Sequence, residues 1–490
     1  REPRADGPTA AAAARLVGLE RLASRWRSSR GRGSWTVGTG LALYDLLAAG
    51  SRWPRHRTER AGRLGLPCVD GDRFPLGCLY TDAQMLYPER FTVELLVDAR
   101  RAAAEQGSTF EVFTHCGATL LPDGVLRLAD GDRAGIDLRP AAVVNATGAW
   151  VDRTLADVLP AAATAGRRLI GGTKGSHLVL RAPRLSAALA GHGVYAEADD
   201  GRPVFVLPFG PDLVLVGTTD IPFAGDPAEA RADDAEIDYL LAATARIFPD
   251  VAPGRDDVQQ HYCGVRPLPA ARATAGNPAA VTRRHMLVRH RGAPLPAWSI
   301  VGGKLTTCRS LAESSAREVL AALGLPVRGS SRERPLPGAC AGPSRAVAVR
   351  VAEEAARRRG FTAGPAAGVA EALVGLFGTR AAEALAAAPG AELIRGTNLP
   401  RSAVAFCVRD EWARTLADVL ERRLMLAFDP RLCARAVEDV AATLAELGLV
   451  AAADVDREAA ACVAHLAERY GRRLPREPVA AANPREERSP

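Results

Sequence analysis

Lys occurs twice in the 490 residues, as Lys174 in GGTKGSH and Lys304 in VGGKLTT. The basic total is 63, so Arg serves as the general cation and Lys is kept at two glycine-rich segments. A Lys ammonium is a compact point charge whose pKa shifts with its surroundings, whereas Arg is a planar donor fork. Both segments read as turns that place a cation for chemistry; codon bias with two chance survivors is the competing reading. Gly302, Gly303 and Lys304 fall between an apolar strand and a helix. Backbone N–H groups at a helix start bind anionic or carbonyl oxygens, and Gly lets a ligand approach the backbone. The spacing is not that of a P-loop, and a structural turn is the alternative.

His177, in TKGSH, is a candidate base, weighed against a satisfied core or turn histidine. Arg266, in CGVRPLP, follows a strand and is fixed by Pro267. Arg283, in VTRRHM, begins another strand. Two Arg on neighbouring strands would clamp a dianion bidentately, against the alternative of ordinary surface cations. No Gly-x-Gly-x-x-Gly follows a strand. Gly38-Thr39-Gly40 is the nearest match and lacks both the third Gly and a preceding strand.

Several elements must hold these groups. Residues 1–34 are Ala-, Arg- and Gly-rich and are expected to be atypical or disordered. In SWTVGTGLALYDLLAAG, Leu43, Leu46 and Leu47 share one helical face. GCLYTD reads as a strand, and a helix starts at Pro88 with Phe91, Leu95 and Ala99 on one face. TFEVFT reads as the next strand, and VLRL and IDLR as a small ribbon. AAVVN is a buried strand running into a Thr-Gly turn, which suits the carboxyl edge of an α/β sheet. PVFVLP and LVLVGTTD form a hairpin, followed by an amphipathic helix with Ile237, Leu240, Leu241 and Ile247 inward. HYCGVRPL, HMLVRH and AWSIV are further strands. After Gly338 the chain reads as helices over Arg345–Arg359, Val369–Phe377, Ser402–Arg423, Pro430–Leu447 and Asp454–Tyr470.

Apolar content of 48 % and charged content of 24 % fit an ordinary globular protein. No apolar run is long enough to span a bilayer, and the start lacks a signal peptide's h-region. The net charge of +7 is interspersed, which reads as solvated faces and not as a nucleic-acid stripe. It is compatible with weak attraction to an anionic membrane. Nine Cys at wide spacing, with no Cys-x-x-Cys, argue against a disulfide framework or a thiolate zinc site and for a reducing cytoplasm. The eight His show no metal-type pairing.

In order, the chain presents GLALYDLLA, YTD…PERFTVELLVDARRAA, VVNATGAWVD, GTKGSHLVL, VFVLPF…LVGTTD, GVRPL, GGKLTT and VRDEWARTLADVLERRLMLAF. The series resembles the FAD-dependent glycerol-3-phosphate dehydrogenases, over about residues 35–470 and least between 340 and 400. The resemblance implies α/β plus α+β architecture of the glutathione-reductase type. An incomplete Rossmann-like FAD domain would comprise 35–160 and 298–330. An antiparallel-sheet substrate domain would comprise 161–297, a helical C-terminal domain 340–475 and a flexible tail 476–490. It further implies oxidation of sn-glycerol 3-phosphate to dihydroxyacetone phosphate. Electrons would pass to quinone at the inner face of the cytoplasmic membrane; a homodimer is compatible with this, and nucleic acid is no partner. By that likeness Asn145, Thr147, Gly148 and Trp150 form the flavin-side turn. Gly302, Gly303, Lys304, Leu305 and Thr306 flank the isoalloxazine ring, where a cation and helix-start amides would stabilise the charge of the reduced ring. His177, Arg266 and Arg283 match substrate-site positions.

The departures are as specific. The family's opening strand, glycine fingerprint and helix are missing from the sequence, as is a segment like SSKLIHGGLRYL. Cys308 stands where the family has Tyr. The chain is therefore expected to be a truncated or mis-started version of a working enzyme. The competing expectations are an inactive remnant or non-catalytic module, and a related flavin oxidase using oxygen or another substrate.

Overall fold

The computed structural model describes residues 34–50, 53–130, 133–159, 168–210, 212–270, 285–339 and 344–478. Helix α1 (Ser34–Leu47) packs on β2 (Leu76–Leu79), which pairs antiparallel with β1 (Arg57–Arg60). Gly38 and Gly40 lie inside this helix, so they form no phosphate turn. Leu43, Leu46 and Leu47, which share one face of this helix by their spacing, are 56 %, 70 % and 80 % exposed. Periodicity states which face is apolar, not what covers it.

Helix α2 (Pro88–Glu105) starts at a proline, whose missing N–H would be unpaired there anyway. The spacing puts Phe91, Leu95 and Ala99 on one face, whereas the structure buries Arg90, Val93, Glu94 and Val97. The reason is ionic. Arg90 donates from Nη1 and Nη2 to the Glu411 carboxylate at 2.5 and 2.9 Å. Arg380 Nη1 bridges Glu94 and Glu411 at 2.6 and 2.8 Å. The two guanidinium groups also lie over Phe377 and Phe406, at 4.5 and 4.8 Å from the ring centroids. TFEVFT forms no strand, because Thr114 is tied to the C-terminal domain: its hydroxyl donates to Trp412 O, and its carbonyl accepts from Arg414 Nη1.

Strands β3 (Gly117–Leu120), β4 (Leu126–Asp130) and β5 (Arg133–Leu138) make a small antiparallel sheet. Next come β6 (Val143–Asn145) and α3 (Val151–Val158). The largest sheet is built on β7 (Thr173–Arg181). TKGSH is therefore the first half of a strand, not a turn. Helix α4 (Pro183–Ala188) leads to β8 (Val194–Glu197), β9 (Pro203–Pro208) and β10 (Leu213–Gly217), which pair in sequence order and return to β7. β11 (Ile221–Pro222) continues the line of β10 along β7, and β12 (Val258–Arg266) takes the other edge of β7. Helix α5 (Asp234–Ile247) begins at an Asp233–Glu236 capping box and covers one face. Its Ile237, Leu240, Leu241 and Ile247 pack on Leu178, Leu180, Val206, Val214 and Val216.

β13 (Met286–His290) is read from sequence as part of this sheet, but it pairs with β14 (Ala297–Val301) in a hairpin. A short connection makes that pairing local. β14 also pairs parallel with β6. Helix α6 (Cys308–Ala322) follows. The C-terminal domain comprises α7 (Arg345–Arg358), α8 (Ala363–Phe377), α9 (Ala381–Ala386), α10 (Arg401–Asp410), α11 (Ala434–Glu446) and α12 (Val455–Tyr470). The expected continuous helix to Arg423 breaks after Asp410 and resumes as a π-helical turn, Asp418–Arg423. The break places the fully buried Glu411 between Arg90 and Arg380.

Removing one partner of a buried ion cluster leaves an uncompensated charge, at a cost of about 3–5 kcal/mol. Glu411→Gln is therefore expected to lower unfolding free energy by about that amount, read by denaturant titration with hydrogen exchange of α2. A loss below about 1 kcal/mol would remove the cluster's proposed weight.

Candidate active site

Alternation along β7 assigns its residues to two faces. Lys174 and Ser176 face α5; Thr173, Gly175, His177 and Val179 face the other way. Lys174 Nζ meets Arg231 O at 3.0 Å, Asp233 Oδ2 at 3.1 Å and Glu236 Oε2 at 2.7 Å. An ammonium has three donors, and here three acceptors converge on it. Ser176 Oγ and Thr219 Oγ1 both donate to Glu236 Oε1, at 2.9 and 2.6 Å. One of the two lysines is thus a structural anchor behind the sheet, and the expectation of chemistry there is corrected.

The opposite face carries the titratable groups. Cross-strand register aligns Tyr262 of β12 with His177 of β7, Gly217 of β10, Phe205 of β9 and Tyr195 of β8. The His177 ring stacks on Tyr262, with centroids 4.8 Å apart and planes 9° apart, and lies tilted 5.7 Å from Phe205. A Cβ on Gly217 would stand 2.4 Å from His177 Cδ2, so the ring occupies the space that the glycine leaves. His177 Nδ1 is buried and has no hydrogen-bond partner among the described residues. Burial, and then the Arg266 charge, depress its pKa from 6.5 to about 4. The imidazole is therefore neutral at physiological pH.

Arg266 lies beside it by the same device. A Cβ on Gly175 would fall 2.1 Å from Arg266 Nη2, so the guanidinium rests directly on the strand. Nη1 donates to Asp220 Oδ1 at 3.1 Å; Nη2 donates to Thr218 Oγ1 at 2.9 Å and Thr219 O at 3.0 Å. The fork is oriented, yet its side chain is still 31 % exposed. Arg283 lies outside the described residues. β12 and β13 belong to different sheets.

The remaining positions gather at the carboxyl ends of β6 and β14, the crevice where open α/β sheets receive ligands. Buried Asn145 holds the first turn. Its Nδ2 donates to Val151 O at 3.0 Å, and its Oδ1 accepts from Thr147 Oγ1 at 2.8 Å. Gly148 has φ +62°, and Gly302 and Gly303 have φ +75° and +107°, conformations that favour glycine. Lys304 is exposed and makes no ion pair among the described residues; Leu305 and Thr306 lead into α6 and are also exposed. The C-terminal end of β12 packs on Gly148–Trp150, and Trp150, Gly172 and Val265 line one cleft of about 250 Å³. Asp226 accepts from Trp150 Nε1 at 3.3 Å and Arg153 Nη1 at 3.0 Å, which fastens the sheet to the turn.

Tyr262, Phe205, Thr218 and Asp220 were not legible as site residues. The available signal was Gly175 and Gly217 inside strands, where glycine marks a close approach.

Comparison with known proteins decides the family. Residues 18–307 match the FAD dependent oxidoreductase family, and residues 330–454 match the C-terminal domain of alpha-glycerophosphate oxidase. A glycerol-3-phosphate dehydrogenase of Synechocystis is 32 % identical over 81 % of this chain and 72 % of its own length. The chain belongs to the FAD-dependent glycerol-3-phosphate dehydrogenase family. A D-erythritol 1-phosphate dehydrogenase of Brucella abortus is 29 % identical over 81 % of this chain and 76 % of its own length. The glycerol-3-phosphate dehydrogenase of Bacillus halodurans, solved with FAD, has the same fold (TM-score 0.63, 21 % identity, 81 % of this chain and 76 % of that one).

FAD is the family's cofactor. The left-handed glycines and the exposed Lys304 offer amides and a cation where two parallel strands end, groups that suit an anionic or carbonyl-bearing cofactor. A glycine fingerprint for its diphosphate is not found in the sequence, and residues 1–33 lie outside those described.

Gly175→Ala tests the seating of Arg266. It is expected to displace the guanidinium and weaken binding of a phosphate-bearing ligand by about tenfold or more, read by calorimetry with circular dichroism as the control for folding. Unchanged affinity would remove Arg266 from the anion site.

Proposed function

We propose that the chain oxidises sn-glycerol 3-phosphate to dihydroxyacetone phosphate and passes the electrons to quinone. The single observation that carries this reading is the pairing of a neutral His177 with an oriented, part-exposed Arg266 on one sheet face. That pair supplies a proton acceptor for a secondary alcohol and a fork for a phosphate. When bound, FAD supplies the hydride acceptor. Arg266 holds the phosphate and thereby orients the carbinol carbon, and His177 takes the hydroxyl proton. Lys304 and the amides after Gly302 stabilise negative charge at the crevice. Arg283 is proposed as a second phosphate ligand. Leu305, Thr306, Thr147 and Trp150 are proposed to wall the flavin.

The relative named for D-erythritol 1-phosphate supports a second reading, a longer polyol phosphate with the same phosphate and secondary alcohol. No helix among the described residues is long and apolar enough to cross a membrane. The exposed apolar face of α1 supports peripheral contact with one.

His177→Asn is expected to lower kcat by about 10²–10⁴-fold. Arg266→Ala is expected to raise KM by about 10- to 100-fold. Because only neutral His177 can accept a proton, activity is lost as pH falls through its pKa. The acid limb of kcat/KM is expected near pH 4, and Arg266→Ala should move it upward by removing a neighbouring positive charge. A limb at the ordinary 6.5 would contradict the assignment. Full-length protein reconstituted with FAD should turn yellow and be bleached by glycerol 3-phosphate; a colourless product favours the inactive-remnant reading.

A further inference from the structure

In most catalytic histidines one ring nitrogen bonds to a carboxylate or carbonyl, and that bond fixes the orientation of the other. His177 has no such bond: Nδ1 is buried and unpartnered among the described residues. Something other than a hydrogen bond must hold the ring. We propose that Tyr262, backed by Phe428, is the positioning residue that fixes the His177 imidazole for proton transfer. The proposal rests on the reading of His177 as the base.

Three observations carry it. Tyr262 and His177 are direct cross-strand partners, and their rings lie nearly parallel at 4.8 Å. The ring cannot turn freely on its other side, because its Cδ2–Nε2 edge lies over Gly217 and Phe205 stands 5.7 Å away. Tyr262 is itself held: Phe428 meets it edge-on at 6.2 Å, and Gln259 Nε2 donates to Phe428 O at 3.1 Å. Phe428 comes from the helical domain, so that domain reaches the base through two rings. Val179, Phe209 and Leu213 complete the apolar cluster behind them.

The charged surroundings of this stack are few. β12 contributes Arg266, whose own charge is met by Asp220 of the β10–β11 connection. β9 and β10 present Phe205 and Gly217. Glu89 at the start of α2 faces Tyr262, and Arg422 faces Glu89. Stacking therefore excludes water from one face of the imidazole without placing a carboxylate on it. That favours a neutral ring whose geometry is set by shape.

The test uses the full-length, FAD-reconstituted protein with Tyr262→Phe, Tyr262→Leu and Phe428→Leu. His177 is followed by ring 15N chemical shifts, assigned with His177→Asn. Tyr262→Phe keeps the stack and should hold kcat within about twofold. Tyr262→Leu should lower kcat by about 100-fold with KM changed less than about threefold, and should move the His177 titration upward towards 6.5. Phe428→Leu should act in the same direction, by about tenfold, and it decides the matter where Tyr262→Leu fails to fold. A Tyr262→Leu protein that folds, titrates and turns over as the parent does would overturn the proposal. An equal loss in Tyr262→Phe would also overturn it, because the hydroxyl and not the stack would then be responsible. Should the parent oxidise no polyol phosphate, the functional reading fails, while the His177 titration still decides whether Tyr262 sets the ring.

Discussion

Two missing side chains govern the site. At Gly175 and Gly217 any Cβ would collide with Arg266 or His177, so a guanidinium and an imidazole can lie flat on the strands only because those positions are bare. A sheet normally holds side chains upright at a spacing set by the pleat. Removing two of them creates shallow seats into which polar groups fold back. Their depth explains both the neutral state of His177 and the fixed direction of Arg266. The interior of a strand is weakened by glycine, and here the cost is offset by the packed face beyond, where Leu178, Leu180 and Val216 meet α5.

The same strand separates two kinds of charge. Towards α5, Lys174 and Glu236 are sealed in a network whose acceptors and donors match. On the other face Arg266 is oriented and still accessible. The C-terminal domain repeats the first pattern on a larger scale. Arg90, Glu94, Arg380 and Glu411 are enclosed between α2 and the helical bundle, with aromatic rings over both guanidinium groups. Each buried charge of this cluster is met by an opposite one, and removal of any member would leave its partners uncompensated. Docking of the two layers also brings Phe428 to the aromatic cluster beside His177.

Much of the α+β layout was legible from periodicity: the hairpin of β9 and β10, the inward face of α5 and the helical C-terminal region follow from spacing and turn residues. The buried face of α2 is not legible in its apolar pattern, because its buried positions include Arg90 and Glu94, and a hydrophobic pattern cannot register a charge that is paired across 286 or more residues of chain. The strand at TKGSH is hidden for a related reason. Glycine in such a segment signals a turn, whereas Gly175 serves as a seat within a strand.

Sequence by itself determined the order of the motifs, the family, the candidate base and the candidate anion-binding arginine, because residue type fixes protonation chemistry and motif order survives divergence. Only the tertiary structure decided which of two chemically equal lysines is an anchor, which sheet β13 joins, and that Tyr262 lies on His177. Those outcomes depend on register between strands far apart in the chain. A one-residue slip in register would have turned each side chain to the opposite face.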